Sequence, residues 1–211
     1  MDEKRQVGPR EAWILAVLLW VTTAGITAFE LVPASVLSVV SEDLGVSSTA
    51  VSWLVSVFIL GMVVLSIPAG LLLDRRNNRR VLLATGLGFL VTTILSAIAS
   101  VIESYSLLMA VRFIGGALNV ILWTASVNLV GVAFARSRQG TGIGFLSTSI
   151  PGGFALTHLL TPPLLGWMDW ELTFVVYGSM TALGALAFFV YTRPYDVQTS
   201  VAVPSRSDFL A

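Results

Sequence analysis

The sequence predicts an all-α membrane protein of six transmembrane helices, and three observations predict it. Lys and Arg number 12 and Asp and Glu 12 in 211 residues, so 11% of the chain is charged, where a soluble domain carries about a quarter. The charges leave six long uncharged stretches. Basic residues cluster at alternate ends of those stretches, while the loops at the other ends carry acids and no Lys or Arg.

Ala12–Phe29 lacks Asp, Glu, Lys and Arg and continues past Glu30 to Val40, giving a first span at 13–39. Leu44–Leu73, Val81–Ile102, Phe113–Ala135, Gly140–Met168 and Leu172–Thr192 give spans at 49–72, 81–101, 107–134, 140–166 and 172–192. A helix rising 1.5 Å per residue needs about 20 apolar residues to cross a hydrocarbon core of about 30 Å. A β-barrel is excluded because its strands alternate in polarity, and these runs are apolar on every side. The first run is too long for a secretory signal and ends in Ser41-Glu42-Asp43, not in a small-residue cleavage site. Pro151-Gly152-Gly153 predicts a kink inside span 5, and Gly140-x-x-x-Gly144 predicts a small-residue packing face on the same span.

Orientation follows from the basic residues. Lys4, Arg5, Arg10, Arg75, Arg76, Arg79, Arg80, Arg136, Arg138, Arg193 and Arg206 fall on one side of six spans. Glu42, Asp43, Glu103, Asp169 and Glu171 fall on the other. The positive-inside rule then makes both termini cytoplasmic: residues 1–12 form an N-terminus, 13–192 the membrane domain and 193–211 a tail. Pro68 precedes Asp74 as Pro163 precedes Asp169, a faint echo of a three-plus-three inverted repeat.

Several function classes are excluded. Net charge is zero, which argues against nucleic acid as a partner. The absence of Cys removes disulfide scaffolds, thiolate metal sites and redox dithiols. A single His cannot make a two-His metal site, and no nucleophile elbow or phosphate loop occurs. The chain is expected to be no enzyme, with no cofactor and no metal.

The segment Gly70-Leu-Leu-Leu-Asp74-Arg75-Arg76-Asn77-Asn78-Arg79-Arg80 resembles the signature loop of the major facilitator superfamily. Gly70, Leu72, Asp74, Arg75 and Arg79 match the pattern. Asn77 replaces a glycine, where it is expected to tolerate a left-handed backbone, and Asn78 replaces a basic residue. Thr27-Ala-Phe-Glu30 and the later Asp43-Leu-Gly-Val-Ser47 resemble the first helix of drug and sugar efflux members. Arg112-Phe-Ile-Gly115-Gly116-Ala117 is similar to the family's fourth-helix motif. In span 5 the efflux pattern is eroded: Pro163 and Gly166 remain, while His158, Pro162 and Trp167 replace its glycines.

The resemblance implies half of a major facilitator fold. Gly70, Asp74, Arg75 and Arg79 would form a cytoplasmic gate against a second six-helix half. Glu30 is the one acid well inside a span, a functional candidate by default because a charge in hydrocarbon costs at least about 2.5 kcal/mol. Glu30, Arg112 and His158 lie at similar depths at about 1.5 Å per residue, so Glu30 is expected to pair with Arg112, with His158 as a neighbouring titratable group. Asn119, Trp123 and Asn128 are candidate cavity residues. The implied function is proton-linked efflux of a small organic solute across the plasma membrane. Its partners would be the bilayer, protons, the solute and a second half supplied by a homodimer or a separate chain. The alternative is a non-transporting membrane interaction protein or a transporter remnant.

Overall fold

In a bilayer every backbone N–H and C=O must find its partner inside the segment, which selects helices for these apolar runs. The computed structural model describes residues 6–195; Lys4, Arg5, Arg206 and the tail beyond residue 195 lie outside the described residues. Helix α1 runs Pro9–Ser35, α2 Leu37–Asp43, α3 Ser48–Arg75, α4 Asn78–Val101 and α5 Tyr105–Ala133. A 3-10 turn at Arg136–Arg138 leads into α6, Gln139–Ser147, followed by α7, Ser149–Leu164, and α8, Trp170–Tyr191. Six of the described segments are long and apolar enough to span a membrane: α1, α3, α4, α5, the Arg136–Leu164 segment and α8.

Two helices are interrupted, and proline accounts for both places. Pro33 has no N–H for the carbonyl of Phe29, and α1 yields at Val36, whose φ of −131° leaves the helical region. The first apolar run is therefore a long helix plus the short α2. Pro151 likewise removes the partner of the Ser147 carbonyl, and the helix breaks at Thr148 between α6 and α7. The turn before α3 needs a left-handed residue, and Gly45 supplies it at φ +60°. Asn77 does not: its φ is −71° and it caps α4, its side chain accepting from the Arg80 amide at 3.3 Å. That corrects the expectation of a left-handed Asn there.

The packing has internal two-fold order. Helix α3 packs on α5 as α7 packs on α1; α4 packs on α5 as α8 packs on α1; α4 and α8 pack on each other. The register repeats too. A Cβ on Gly61 of α3 would strike the Phe113 carbonyl and the Ala117 amide of α5, and a Cβ on Gly153 of α7 would strike the Ala24 carbonyl and the Ala28 amide of α1. Gly86 of α4 closes on Ala185 of α8, and Gly178 of α8 closes on Thr93 of α4, at the same sequence shift as Gly61 to Gly153. These contacts define the three-plus-three repeat. The Pro68–Pro163 echo falls three residues out of this register. Gly140 and Gly144 face open space, so the small-residue face expected there is not a packing face; Gly152 and Gly153, pressed on Trp20 and on the α1 backbone, fill that role.

Helix α1 is the central element, buried along most of its length and tied to α7 by hydroxyls. Thr23 donates to Ser149 Oγ at 2.7 Å, Trp20 Nε1 donates to Thr148 Oγ1 at 2.9 Å, and Thr157 donates to the Ala28 carbonyl at 2.8 Å. Phe29 sits among Phe58, Phe89 and Phe174 at centroid distances of 5.0–5.8 Å. Large apolar side chains such as Ile67, Val101, Leu159 and Leu183 remain exposed around the bundle, as lipid-facing positions do.

Candidate functional site

The contacts that fix α1 against α7, and α3 against α5, leave a groove between the two pairs. It encloses about 320 Å³ and is lined by Thr27 and Glu30 of α1, Ile59 and Met62 of α3, Asn119 and Trp123 of α5, and Ile150 and Phe154 of α7. The groove lies on the internal two-fold. The register that matches Ala24 to Phe113 and Ala28 to Ala117 also matches Glu30 to Asn119; the register that matches Gly61 to Gly153 matches Met62 to Phe154. One carboxylate and one carboxamide therefore face each other across the axis. Asn119 is buried, with Nδ2 3.4 Å from Met62 Sδ, while Glu30 is half-buried.

Arg112 is fully buried on α5 beneath this groove. Its Nε donates to the Leu54 carbonyl at 2.7 Å, one terminal nitrogen donates to the Glu30 carbonyl at 2.5 Å, and the other makes a long 3.5 Å contact with the Phe29 carbonyl. The rings of Phe29, Phe58 and Phe174 surround the guanidinium at 4.8, 5.4 and 5.7 Å. Pro33 explains part of this choice, since the Phe29 carbonyl has no amide partner within α1. The expected pairing is thus corrected in kind: Arg112 grips the Glu30 backbone, not its carboxylate. The two charges still attract each other, but among the described residues no hydrogen bond or ion pair engages the carboxylate.

His158 is not brought to this pair. Thr157 takes the position facing α1, and His158 is exposed one turn beyond Phe154, outside the groove lining. Asn128 is half-buried on α5, five residues from Trp123 and so off the lining face. In the loop motif, Asp74 and Arg75 are exposed at the end of α3, and a Cβ on Gly70 would meet nothing within 4 Å. Arg79 instead turns inward to α8, where it donates to the Phe189 carbonyl at 2.6 Å with its guanidinium 4.2 Å over the Phe189 ring.

Sequence reasoning missed Thr27, Met62 and Phe154 as lining residues. Thr27 was within reach, because it lies one turn before Glu30 on the same helix face. Met62 and Phe154 were not, because apolar side chains in a span carry no sign of whether they face lipid or a cavity.

The sequence matches the description Major Facilitator Superfamily over residues 9–209. It is 30% identical to the multidrug efflux pump LfrA of Mycolicibacterium smegmatis across 80% of this chain and 33% of that protein. It is 25% identical to a probable L-galactonate transporter of Escherichia coli across 73% of this chain and 33% of that protein. The structure overlays a bacterial homolog of the human lysosomal transporter Spinster, inward-facing and unoccupied, with TM-score 0.72 and 15% identity, covering 89% of this chain and 44% of that one. The chain therefore spans a third to under half the length of these relatives. A family match over nearly the whole sequence, a six-helix fold with its internal repeat, and the loop and helix motifs agree: this integral membrane chain belongs to the Major Facilitator Superfamily.

Proposed function

We propose that the chain is one six-helix half of a secondary transporter and that the α1–α3–α5–α7 groove is its share of the solute and proton site. The observation that carries this reading is the Glu30 carboxylate: it faces a groove at membrane depth while Arg112 spends its donors on carbonyls. A carboxylate so placed can take a proton or meet a cationic group, with Trp123, Phe154 and Met62 supplying apolar and aromatic surface and Asn119 a hydrogen-bonding amide. Proton-linked efflux of a small organic solute across the plasma membrane is the form we favour. It is supported by the likeness to LfrA, which is named a multidrug efflux pump, and to the tetracenomycin C resistance and export protein of Streptomyces glaucescens, 26% identical over 65% of this chain.

Alternating access rocks one half against another, so activity needs a second six-helix half, whether joined to this sequence or separate. The basic ends, both termini among them, are read as cytoplasmic. Asp74 and Arg75, exposed beside the open face at Gly70, are the residues we assign to contact that second half at the gate.

The test is flux of a fluorescent lipophilic cation in liposomes containing both halves, driven by an imposed pH gradient. Glu30→Gln keeps the shape of the side chain and removes its charge, and it is expected to lower gradient-driven flux at least about 100-fold, in the range of a lost general acid–base group. Unchanged flux in that variant would overturn the assignment.

A further inference from the structure

Helices α4 and α8 contribute no residue to the groove. They pack on each other and on the central elements, and turn exposed apolar side chains such as Leu87, Val91, Leu183, Leu186 and Val190 away from the bundle. Their seam is therefore an apolar outer edge that lies outside the groove. At its basic end the fold gathers three arginines from two helices. Arg79, in the first turn of α4, is fixed to α8 through Phe189. Arg80 follows it, exposed. Arg193 is carried on the turn that ends α8, where its amide donates to the Val190 carbonyl at 3.2 Å, beside Thr192, whose hydroxyl donates to the Phe188 carbonyl at 2.7 Å.

The electrostatics are those of a cation cluster awaiting an anion. Among the described residues, the charged groups acting on Arg79 are Arg193 and Arg80, both of its own sign. Asp74, the acid of the same loop, sits on α3, whose main packing is against α5, and is not among the charges acting on Arg79. Glu11 and Arg10 both act on Tyr191, in opposite directions. The Arg79 Nε–H is buried with no acceptor among the described residues, which is uncommon for a donor on an ordered side chain. The first turn of α4 holds no acid, so no side chain there offsets the positive end of the helix dipole.

We propose that this end of the α4–α8 seam binds the headgroup of an anionic phospholipid, with Arg79, Arg80 and Arg193 receiving the phosphate and the apolar seam receiving the acyl chains. Guanidinium groups clustered at a bilayer surface complement a phosphodiester in the sign of its charge and in hydrogen-bond donors. The apolar surface directly below them favours a lipid over a soluble anion. The inference does not depend on the transport reading, because none of these residues lines the groove.

The test is native mass spectrometry of the full chain released from detergent after equilibration with phosphatidylglycerol or phosphatidylcholine. Wild type is expected to retain phosphatidylglycerol in clear excess. Each arginine removed is expected to cost about fivefold in affinity, so R80Q/R193Q should lose most of that excess, while R80K/R193K, which keeps the charge, should retain it. R136Q/R138Q, in the other basic loop, should behave as wild type. Equal retention of the two lipids by wild type would overturn the proposal, as would an undiminished excess in R80Q/R193Q or an equal loss in R136Q/R138Q. Displacement of the lipid by millimolar glycerol 3-phosphate would show a site for free phosphates instead. If the double variant loses its helical circular dichroism, Arg80→Gln and Arg193→Gln are read singly, each against the fivefold expectation.

Discussion

Arg112→Leu is expected to destabilise the chain by about 3 kcal/mol, through the loss of its charge-assisted hydrogen bonds to the Leu54 and Glu30 carbonyls, at about 1.5–3 kcal/mol each, and of its longer contact with the Phe29 carbonyl. Part of that loss is returned, because burying a guanidinium is itself costly. Arg112→Lys separates the two contributions. It keeps the charge among the Phe29, Phe58 and Phe174 rings, but a single ammonium on a flexible stem cannot reach carbonyls on α1 and α3 together as the planar fork does. Thermal unfolding in detergent should rank wild type above Lys and Lys above Leu. A Lys variant as stable as wild type would mean that the bridge between α1 and α3 is not what holds this residue in place.

Gly116→Ala is expected to cost a similar amount for a different reason. A Cβ there would overlap the Phe58 carbonyl, and backbone cannot move aside as a side-chain tip can. The added methyl must push α3 and α5 apart, with an overpacking cost of about 3 kcal/mol, at the top of the usual range. Alanine's better helix propensity, about 1 kcal/mol, offsets only part of it. The same separation would stretch the Arg112–Leu54 hydrogen bond, so the groove should loosen as well. Gly140→Ala is the control: nothing lies within 4 Å of its Cβ position, and propensity alone should raise stability slightly. Unfolding midpoints that move together in the two variants would contradict the packing account.

The fold was legible where lipid dictates it. Uncharged stretches long enough to cross a bilayer, separated by charges of alternating sign, leave a chain little besides six helices, and the Gly70–Arg80 motif named the family. The interruptions at Val36 and Thr148 follow from Pro33 and Pro151, yet a proline in a membrane helix can be absorbed as a bend, so its presence alone does not announce a break. The two-fold was present in the sequence as Gly61 and Gly153, or Gly86 and Gly178. Glycines are too frequent in such spans for those pairs to stand out before their contacts are known.

The site was legible in its charged members and illegible in its geometry. Glu30 and Arg112 are conspicuous because ionised groups inside a span are rare. Opposite charges at equal depth invite a salt bridge, and nothing in the sequence says that Arg112 will take backbone carbonyls. Depth along a helix is also only one of two cylindrical coordinates. His158 matches Glu30 in depth, but Thr157 takes the α1-facing position and leaves His158 exposed one turn beyond Phe154.

The Glu30 carboxylate, which Arg112 does not hydrogen-bond, is proposed to exchange a proton within the groove. Infrared difference spectroscopy of the purified chain on acidification tests this directly and does not require the second half. The wild-type spectrum minus the Glu30→Gln spectrum should contain one carboxylic acid C=O band, the proton having gone to residue 30. Identical spectra for the two proteins would contradict it.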